Sequence, residues 1–143
     1  MRYTLSNTIN KPISVVTEKF KDTEGAKEWM EGLHKIEPVS GVPGKKGSTC
    51  YFHFSHKGKE MKLLETILEE NLPHQIKFSY TSGIGYNEVE LLFEEISENV
   101  TKQTTNNYFQ LKGAMKIMGF FMSGMFKKQS MKYMDGFKKF AEK

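Results

Sequence analysis

The sequence predicts an α+β domain in which an antiparallel β-sheet packs against one long C-terminal helix. Three observations support this fold class. The first residues alternate apolar and polar side chains and lead into two short helical patterns. From Leu33 to Leu111 the alternation continues between turn-forming stretches, and from about Gly113 to Ala141 apolar residues recur at helical spacing. The length of 143 residues suits one domain spanning 1–143.

The N-terminal elements are a strand and two short helices. Residues 2–10 alternate with period two, which predicts a strand with one buried side. Pro12 suits the first turn of the following helix, whose apolar residues recur at helical spacing. A second short helix is predicted over 23–30, with Trp29 facing inward and Gly32 ending it.

The middle of the chain predicts about six strands joined by short turns. They are expected at 33–39, 49–55, 61–70, 75–83, 86–96 and 101–112. Short connections between successive strands favour an antiparallel meander, which makes about seven strands with the first one. One face of this sheet is apolar and must be covered. Only the C-terminal helix is long enough to cover it.

The C-terminal helix changes character along its length. Lysines flank one apolar stripe in its second half, but residues 113–126, GAMKIMGFFMSGMF, are apolar on nearly every side. The stripe expected to pack on the sheet comprises Met115, Met118, Met122, Met125, Phe126, Tyr133, Phe137 and Phe140. On the opposite side, Ile117, Phe120 and Phe121 have three interpretations: core covered by the short helices, the rim of a ligand pocket, or a dimer or membrane-surface patch. The pocket rim is the prediction carried forward.

Several segments carry a resemblance to a known family. They are INKPISVVTEKF, EWMEGLHKIEPVSG, the loop GVPGKKGST, ETILEENLPHQIKFSY and KKQSMKYMDGFKKFAEK. With the order of elements, the whole chain resembles the START-related (SRPBCC, Bet v 1-like) superfamily, most closely its polyketide cyclase/dehydrase and lipid-transport branch. The resemblance implies the helix-grip fold, in which a curved antiparallel sheet of about seven strands wraps around the long C-terminal helix. It also implies an apolar cavity for lipids, steroids, polyketides or hormones.

The predicted function is binding of a small hydrophobic or amphipathic molecule, such as a lipid or a polyketide-like compound, between sheet and helix. The residues predicted to contact it are Ile36, Phe52, Phe54, Phe78, Tyr80, Leu91, Phe93, Gln103, Thr105, Asn107, Met118, Met122 and Met125. Most are apolar, and methionine suits varied apolar partners. The polar row from Gln103 to Asn107 is costly to bury unless hydrogen-bonded, so these side chains either bond one another and water or face a ligand's polar head.

Two alternative functions remain open, because the superfamily includes cyclases, dehydratases and an activator of a chaperone ATPase. A cyclase or dehydratase needs a titratable group in the cavity, and the inward candidates are His34, Tyr80 and Glu65. No recognisable nucleophile set or metal-ligand spacing is present, so no catalytic residue, metal or cofactor is predicted. A co-chaperone-like interaction domain would instead use the basic end of the last helix.

Charge and cysteine content bear on partners and location. The net charge is +4, and six lysines fall in residues 127–143. Nucleic acid is nevertheless not expected, since Arg2 is the single arginine. Cys50 is the single cysteine, so no intramolecular disulfide forms. No transmembrane segment or signal peptide is predicted, and we expect a cytoplasmic monomer or weak dimer.

Overall fold

In a computed structural model, the described backbone covers residues 1–143, and all side chains are described except those of Phe120 and Phe121. The elements in chain order are β1 (Arg2–Ile9), α1 (Ile13–Lys21), α2 (Ala26–Trp29), β2 (Leu33–Ser40), β3 (Thr49–His56), β4 (Lys59–Asn71), β5 (Gln75–Ser82), β6 (Gly85–Ser97), β7 (Val100–Leu111), α3 (Ala114–Phe121) and α4 (Ser123–Ala141). The predicted α+β class and the two short helices after the first strand are confirmed.

The seven strands form one antiparallel sheet in the order β1-β7-β6-β5-β4-β3-β2. From β2 to β7 each strand pairs with the next in sequence, which confirms the predicted meander, and β1 pairs with β7. The register places Val89 opposite both Phe78 and Asn107. Since side chains alternate along each strand, these three residues lie on the same face.

A β-bulge overturns one prediction about β2. Leu33 pairs with Phe54 and Lys35 with His53, so His34 is an extra residue without a partner in the register. The predicted inward position of His34 is therefore wrong. Its side chain is 48% exposed, and its Nε2 lies 2.8 Å from Oε2 of Glu60.

The C-terminal segment is two helices, not the single helix predicted. α3 ends at Phe121 and α4 begins at Ser123, with Met122 between them at φ −115° and ψ 21°. Ser123 and Gly124 follow the break, and both residue types favour helix less than the leucine, alanine or lysine that a continuous helix would use. Because of this break, apolar residues spaced at 100° per residue along the whole segment do not share one face of a single helix. Neither α3 nor any other described helix is long and apolar enough to cross a membrane.

The close-packed core lies around the C-terminal half of α4. Phe137 is 1% exposed, and its ring centroid lies 5.2 Å from that of Trp29, 5.8 Å from Phe20 and 6.2 Å from Phe93. This packing fixes α1 and α2 against α4. A smaller cluster lies beside α2 and comprises Ala26, Leu33, Phe52 and Phe54.

Gly32 sets the direction in which the chain leaves α2, as the sequence predicts. Its φ is +88°, a left-handed conformation that favours glycine. A Cβ at this position would also lie 2.6 Å from the carbonyl oxygen of Ser55. The turn can therefore bring β2 alongside β3 only with glycine here.

Candidate functional site

A cavity of about 940 Å³ lies between the sheet and α4. Six strands, β2 to β7, contribute the sheet side, while Phe126, Tyr133 and Met134 line it from α4 and Trp29 lines it from α2. Small-molecule sites in proteins occupy about 300–1,000 Å³, so this cavity is at the upper end of that range. It can hold a molecule of lipid or polycyclic size.

Eight of the thirteen predicted contact residues line this cavity. They come from β2, β3, β5, β6 and β7 and are Ile36, Phe52, Phe78, Tyr80, Leu91, Gln103, Thr105 and Asn107. The period-two pattern placed them on the correct face because each strand presents alternate residues to the same side. That a ligand contacts them remains a prediction.

Phe54 and Phe93 belong to packed core and do not line the cavity. Phe93 is 2% exposed, and its ring centroid lies 6.0 Å from that of Phe20. Phe54 is 6% exposed and packs with Ala26 and Leu33. Both lie on the predicted face, but alternation does not say where along that face the cavity ends.

The three predicted methionines also lie outside the cavity wall. Met118 and Met125 are 45% and 60% exposed, and Met122 occupies the break between the helices. Their predicted position in the cavity is wrong because the prediction assumes one continuous helix, whereas the helix breaks at Met122. Ile117, predicted at the pocket rim, is 67% exposed and is not part of the wall. The predictions for Phe120 and Phe121 fall on side chains outside the described set.

The glycine-rich loop between β2 and β3 lies at the edge of the cavity, where Pro43, Gly44 and Lys45 line it. Two backbone hydrogen bonds hold the loop to β4: the Gly47 amide donates to the Ile67 carbonyl at 2.8 Å, and the Ile67 amide donates to the Ser48 carbonyl at 3.0 Å. The segment is therefore a loop held beside the cavity.

A polar cluster, half-buried in the cavity wall, interrupts the apolar lining. The Tyr80 hydroxyl donates to Oε2 of Glu65 at 2.8 Å, and the Cys50 thiol lies 3.5 Å from Oε1 of the same carboxyl. The three residues are direct register partners on β3, β4 and β5. Sequence reasoning named Tyr80 and Glu65 separately and missed Cys50 as their partner. The signal available was the alternation of Cys50, Phe52 and Phe54, which places the thiol on the same face of β3 as two inward aromatic residues.

Burial controls the protonation of this cluster. It raises the pKa of the Glu65 carboxyl, although the hydrogen bonds from Tyr80 and Cys50 oppose that rise. Burial, followed by the neighbouring Glu65, raises the pKa of Cys50 to about 12 and that of Tyr80 well above its ordinary value. The thiol is therefore protonated near neutral pH and is a poor nucleophile. Of the three groups, the carboxyl is the one suited to act as a general acid or base.

The polar row on β7 makes its hydrogen bonds mainly within the protein. The Gln103 amide donates to Asn7 Oδ1 at 2.9 Å and to the Met134 carbonyl at 3.3 Å. The Asn107 amide donates to Thr105 Oγ1 at 3.0 Å. These bonds tie the row to β1 and α4. Because the amide donors are engaged, a ligand beside the row would meet mainly carbonyl oxygens.

No metal site is apparent: among the described residues, no three His, Cys, Asp or Glu side chains are arranged to hold an ion. His53 lies on the outer side of β3, where its Nε2 is 2.9 Å from Oε1 of Glu37.

The sequence matches no protein-family model and none of the curated proteins with which it was compared. Solved structures are similar across nearly its whole length. TTHA0849 from Thermus thermophilus has a TM-score of 0.74 at 17% identity, covering 99% of this chain and 97% of that one. Ara h 8.0201 has a TM-score of 0.79 at 14% identity, covering 99% and 97%. The Zhui aromatase/cyclase from Streptomyces sp. R1128 has a TM-score of 0.79 at 13% identity, covering 99% and 93%.

These similarities identify the class of fold. The helix-grip arrangement implied by the resemblance to the START-related superfamily is confirmed, with the C-terminal helix in two parts. At such low identity the likeness shows the fold alone. What the protein does must be argued from its own cavity.

Proposed function

We propose that the protein binds a small hydrophobic or amphipathic molecule, lipid-like or polyketide-like, in the cavity between the sheet and α4. The supporting observation is the cavity of about 940 Å³ itself. Protein interiors are normally packed to the density of organic crystals, with few voids larger than a water molecule. Phe52, Phe78 and Leu91 line this space without filling it. A ligand would supply the missing contacts.

The cluster of Cys50, Glu65 and Tyr80 offers one polar position inside this apolar space. A wall that is mostly apolar with a few convergent polar groups is the usual pattern of a small-molecule site. An amphipathic ligand would place its polar group at Glu65 and its apolar body against Phe52 and Phe78. We expect micromolar affinity, about −8 kcal/mol.

An amide chemical-shift titration tests the binding proposal. The probes are hexadecanoic acid and a tricyclic anthraquinone, added separately to the full chain. Val89 is half-buried at the cavity, so Val89→Trp should fill space and weaken binding of both probes by at least about 10-fold, or 1.4 kcal/mol. Val42 is 67% exposed and lies outside the cavity wall, so Val42→Trp is the matched control.

Binding at the cavity predicts shifts centred on Leu91, Thr105 and Asn107 that Val89→Trp removes and Val42→Trp leaves intact. Absence of saturable shifts with either probe would refute the proposal. Equal weakening by the two tryptophan variants would also refute it, because the binding would then not occur in the cavity. Circular dichroism of each variant verifies that the fold is retained.

A second candidate is proton-transfer chemistry on the bound molecule, as in a cyclase or dehydratase. The observation that favours it is the contact of 2.8 Å between the Tyr80 hydroxyl and the Glu65 carboxyl on the cavity wall. Ionised Glu65 would remove a proton from the carbon next to a ligand carbonyl, and Tyr80 would donate a hydrogen bond to the resulting enolate oxygen. One solved structure of similar fold carries the name aromatase/cyclase.

Deuterium exchange tests this second candidate. Benzylacetone in D₂O serves as the probe, with loss of its α-proton NMR signal as the readout. General-base catalysis predicts an acceleration of about 10²–10⁴-fold over buffer. Glu65→Gln should abolish the acceleration while anthraquinone binding persists. An unaccelerated wild-type reaction, or full acceleration with Glu65→Gln, would refute the catalytic candidate and leave the binding proposal standing.

A further inference from the structure

The segment 112–128 joins the end of β7 to the start of α4 and leaves apolar side chains in solvent. Ile117 is 67% exposed, Met125 60% and Met118 45%. Leu111, just before the segment, and Phe126, within it, both line the cavity. An apolar surface therefore borders one end of the proposed ligand site.

Basic residues flank these apolar residues in the sequence. Lys112, Lys116, Lys127 and Lys128 are exposed, and among the described side chains none of them takes part in an ion pair. The sequence contains no Asp or Glu from residue 99 to residue 134. The segment consequently combines exposed apolar side chains with uncompensated positive charge.

The helix ends add to this positive potential. α3 begins after Gly113 and α4 begins after Met122, and neither has a side-chain cap on its N-terminus. Backbone N–H groups at a helix N-terminus carry partial positive charge and favour anions such as phosphate. Acidic residues, which usually occupy a first turn, are missing from the first turns of both helices.

We propose that segment 112–128 docks on an anionic lipid surface, with Ile117, Met118 and Met125 entering the interface and the lysines contacting phosphate groups. Apolar burial together with lysine attraction is the combination that holds peripheral helices to anionic lipid. A second copy of the chain fits less well. A two-fold contact would bring this surface against itself, so like charges would face one another. Docking would present the Leu111–Phe126 end of the cavity to the lipid.

Vesicle co-sedimentation of the full chain tests the proposal without any cavity ligand. Vesicles of pure phosphatidylcholine are compared with vesicles of 70% phosphatidylcholine and 30% phosphatidylglycerol. The salt concentration is about 0.1 M, at which surface charges interact over roughly 10 Å. The partition coefficient should be at least about 10-fold higher for the anionic vesicles and should fall as salt increases.

Two pairs of variants locate the contact. Ile117→Ser should reduce binding at least 3-fold relative to Val42→Ser, a matched control because both side chains are 67% exposed. Lys127→Glu with Lys128→Glu should reduce it at least about 10-fold. The control with the same net charge, Lys35→Glu with Lys59→Glu, should retain most of the binding, because these exposed lysines lie on β2 and β4.

Equal partition onto neutral and anionic vesicles would overturn the proposal, as would equal losses in the test and control variants. A wild-type protein that elutes as a dimer, and that Ile117→Ser converts to a monomer, would also overturn it by assigning the surface to self-association. All substitutions are at exposed positions, and thermal unfolding verifies that each variant is folded.

Discussion

Replacing Phe78 and Phe93 by alanine in separate variants should have unequal effects on stability. The residues share a sheet face, but Phe93 is 2% exposed within packed core, whereas Phe78 is 9% exposed and lines the cavity. Phe93→Ala removes a ring that packs on Phe20 and Phe137 and leaves a new void, so it should cost about 3–5 kcal/mol. Phe78→Ala enlarges a space that already exists. It should cost mainly the transfer term, about 1.5–3 kcal/mol.

Urea unfolding measures this difference. Trp29 is the single tryptophan and its ring centroid lies 5.2 Å from that of Phe137, so its fluorescence reports the core, with far-ultraviolet circular dichroism as a second probe. The comparison is valid where both variants unfold with the same dependence on urea concentration. Equal losses of stability, within about 0.5 kcal/mol, would show that Phe78 is as closely packed as Phe93. The argument for a cavity at that position would then be wrong.

Three further predictions concern buried polar contacts. Burial raises the folded pKa of Glu65, so its ionisation destabilises the fold as pH rises from the unfolded pKa, about 4.3, through the folded value. In urea titrations Glu65→Gln should therefore gain stability relative to wild type as pH rises from 4 to 8, and a stability difference that stays constant with pH would contradict this. Iodoacetamide at pH 8 should label Cys50 on the order of 100–1,000-fold more slowly in native than in urea-unfolded protein, since its folded pKa is about 12. Mass spectrometry measures the labelling, and rapid labelling of native protein would refute the raised pKa of the thiol. The Tyr3 hydroxyl lies 2.6 Å from Ser130 Oγ, within hydrogen-bonding distance. A double-mutant cycle with Tyr3→Phe and Ser130→Ala should therefore give a coupling energy of about 1 kcal/mol, and additive effects on stability would exclude this hydrogen bond.

Some features of the cavity could be predicted because they depend on local periodicity. Alternation along a strand has period two, so Phe52, Phe78 and Leu91 were assigned to the correct face without knowledge of which strands pair. The meander also followed from the short connections between strands. Where a single residue is added, as at the β2 bulge, the period fails, and for that reason His34 was placed on the wrong face.

The break between α3 and α4 likewise could not be predicted from periodicity. Helical periodicity correctly assigned Phe126, Tyr133 and Phe137 to the side of α4 that faces the sheet. The interruption at Met122 depends on how α3 and α4 pack, and Ser123 and Gly124 permit a break without requiring one. Met118 and Met125 were consequently predicted in the cavity although both are exposed.

By itself, the sequence determined the α+β class, the seven strands in meander order and the sheet face on which most cavity residues lie, because each depends on residues close together in the chain. Tertiary structure decided where that face is filled and where it is empty, since the boundary between packed core and cavity depends on the separation of α4 from the sheet. It also decided that Cys50, Glu65 and Tyr80 meet. Three strands must pair in one register before these side chains come within hydrogen-bonding distance, and alternation along a single strand carries no information about that register.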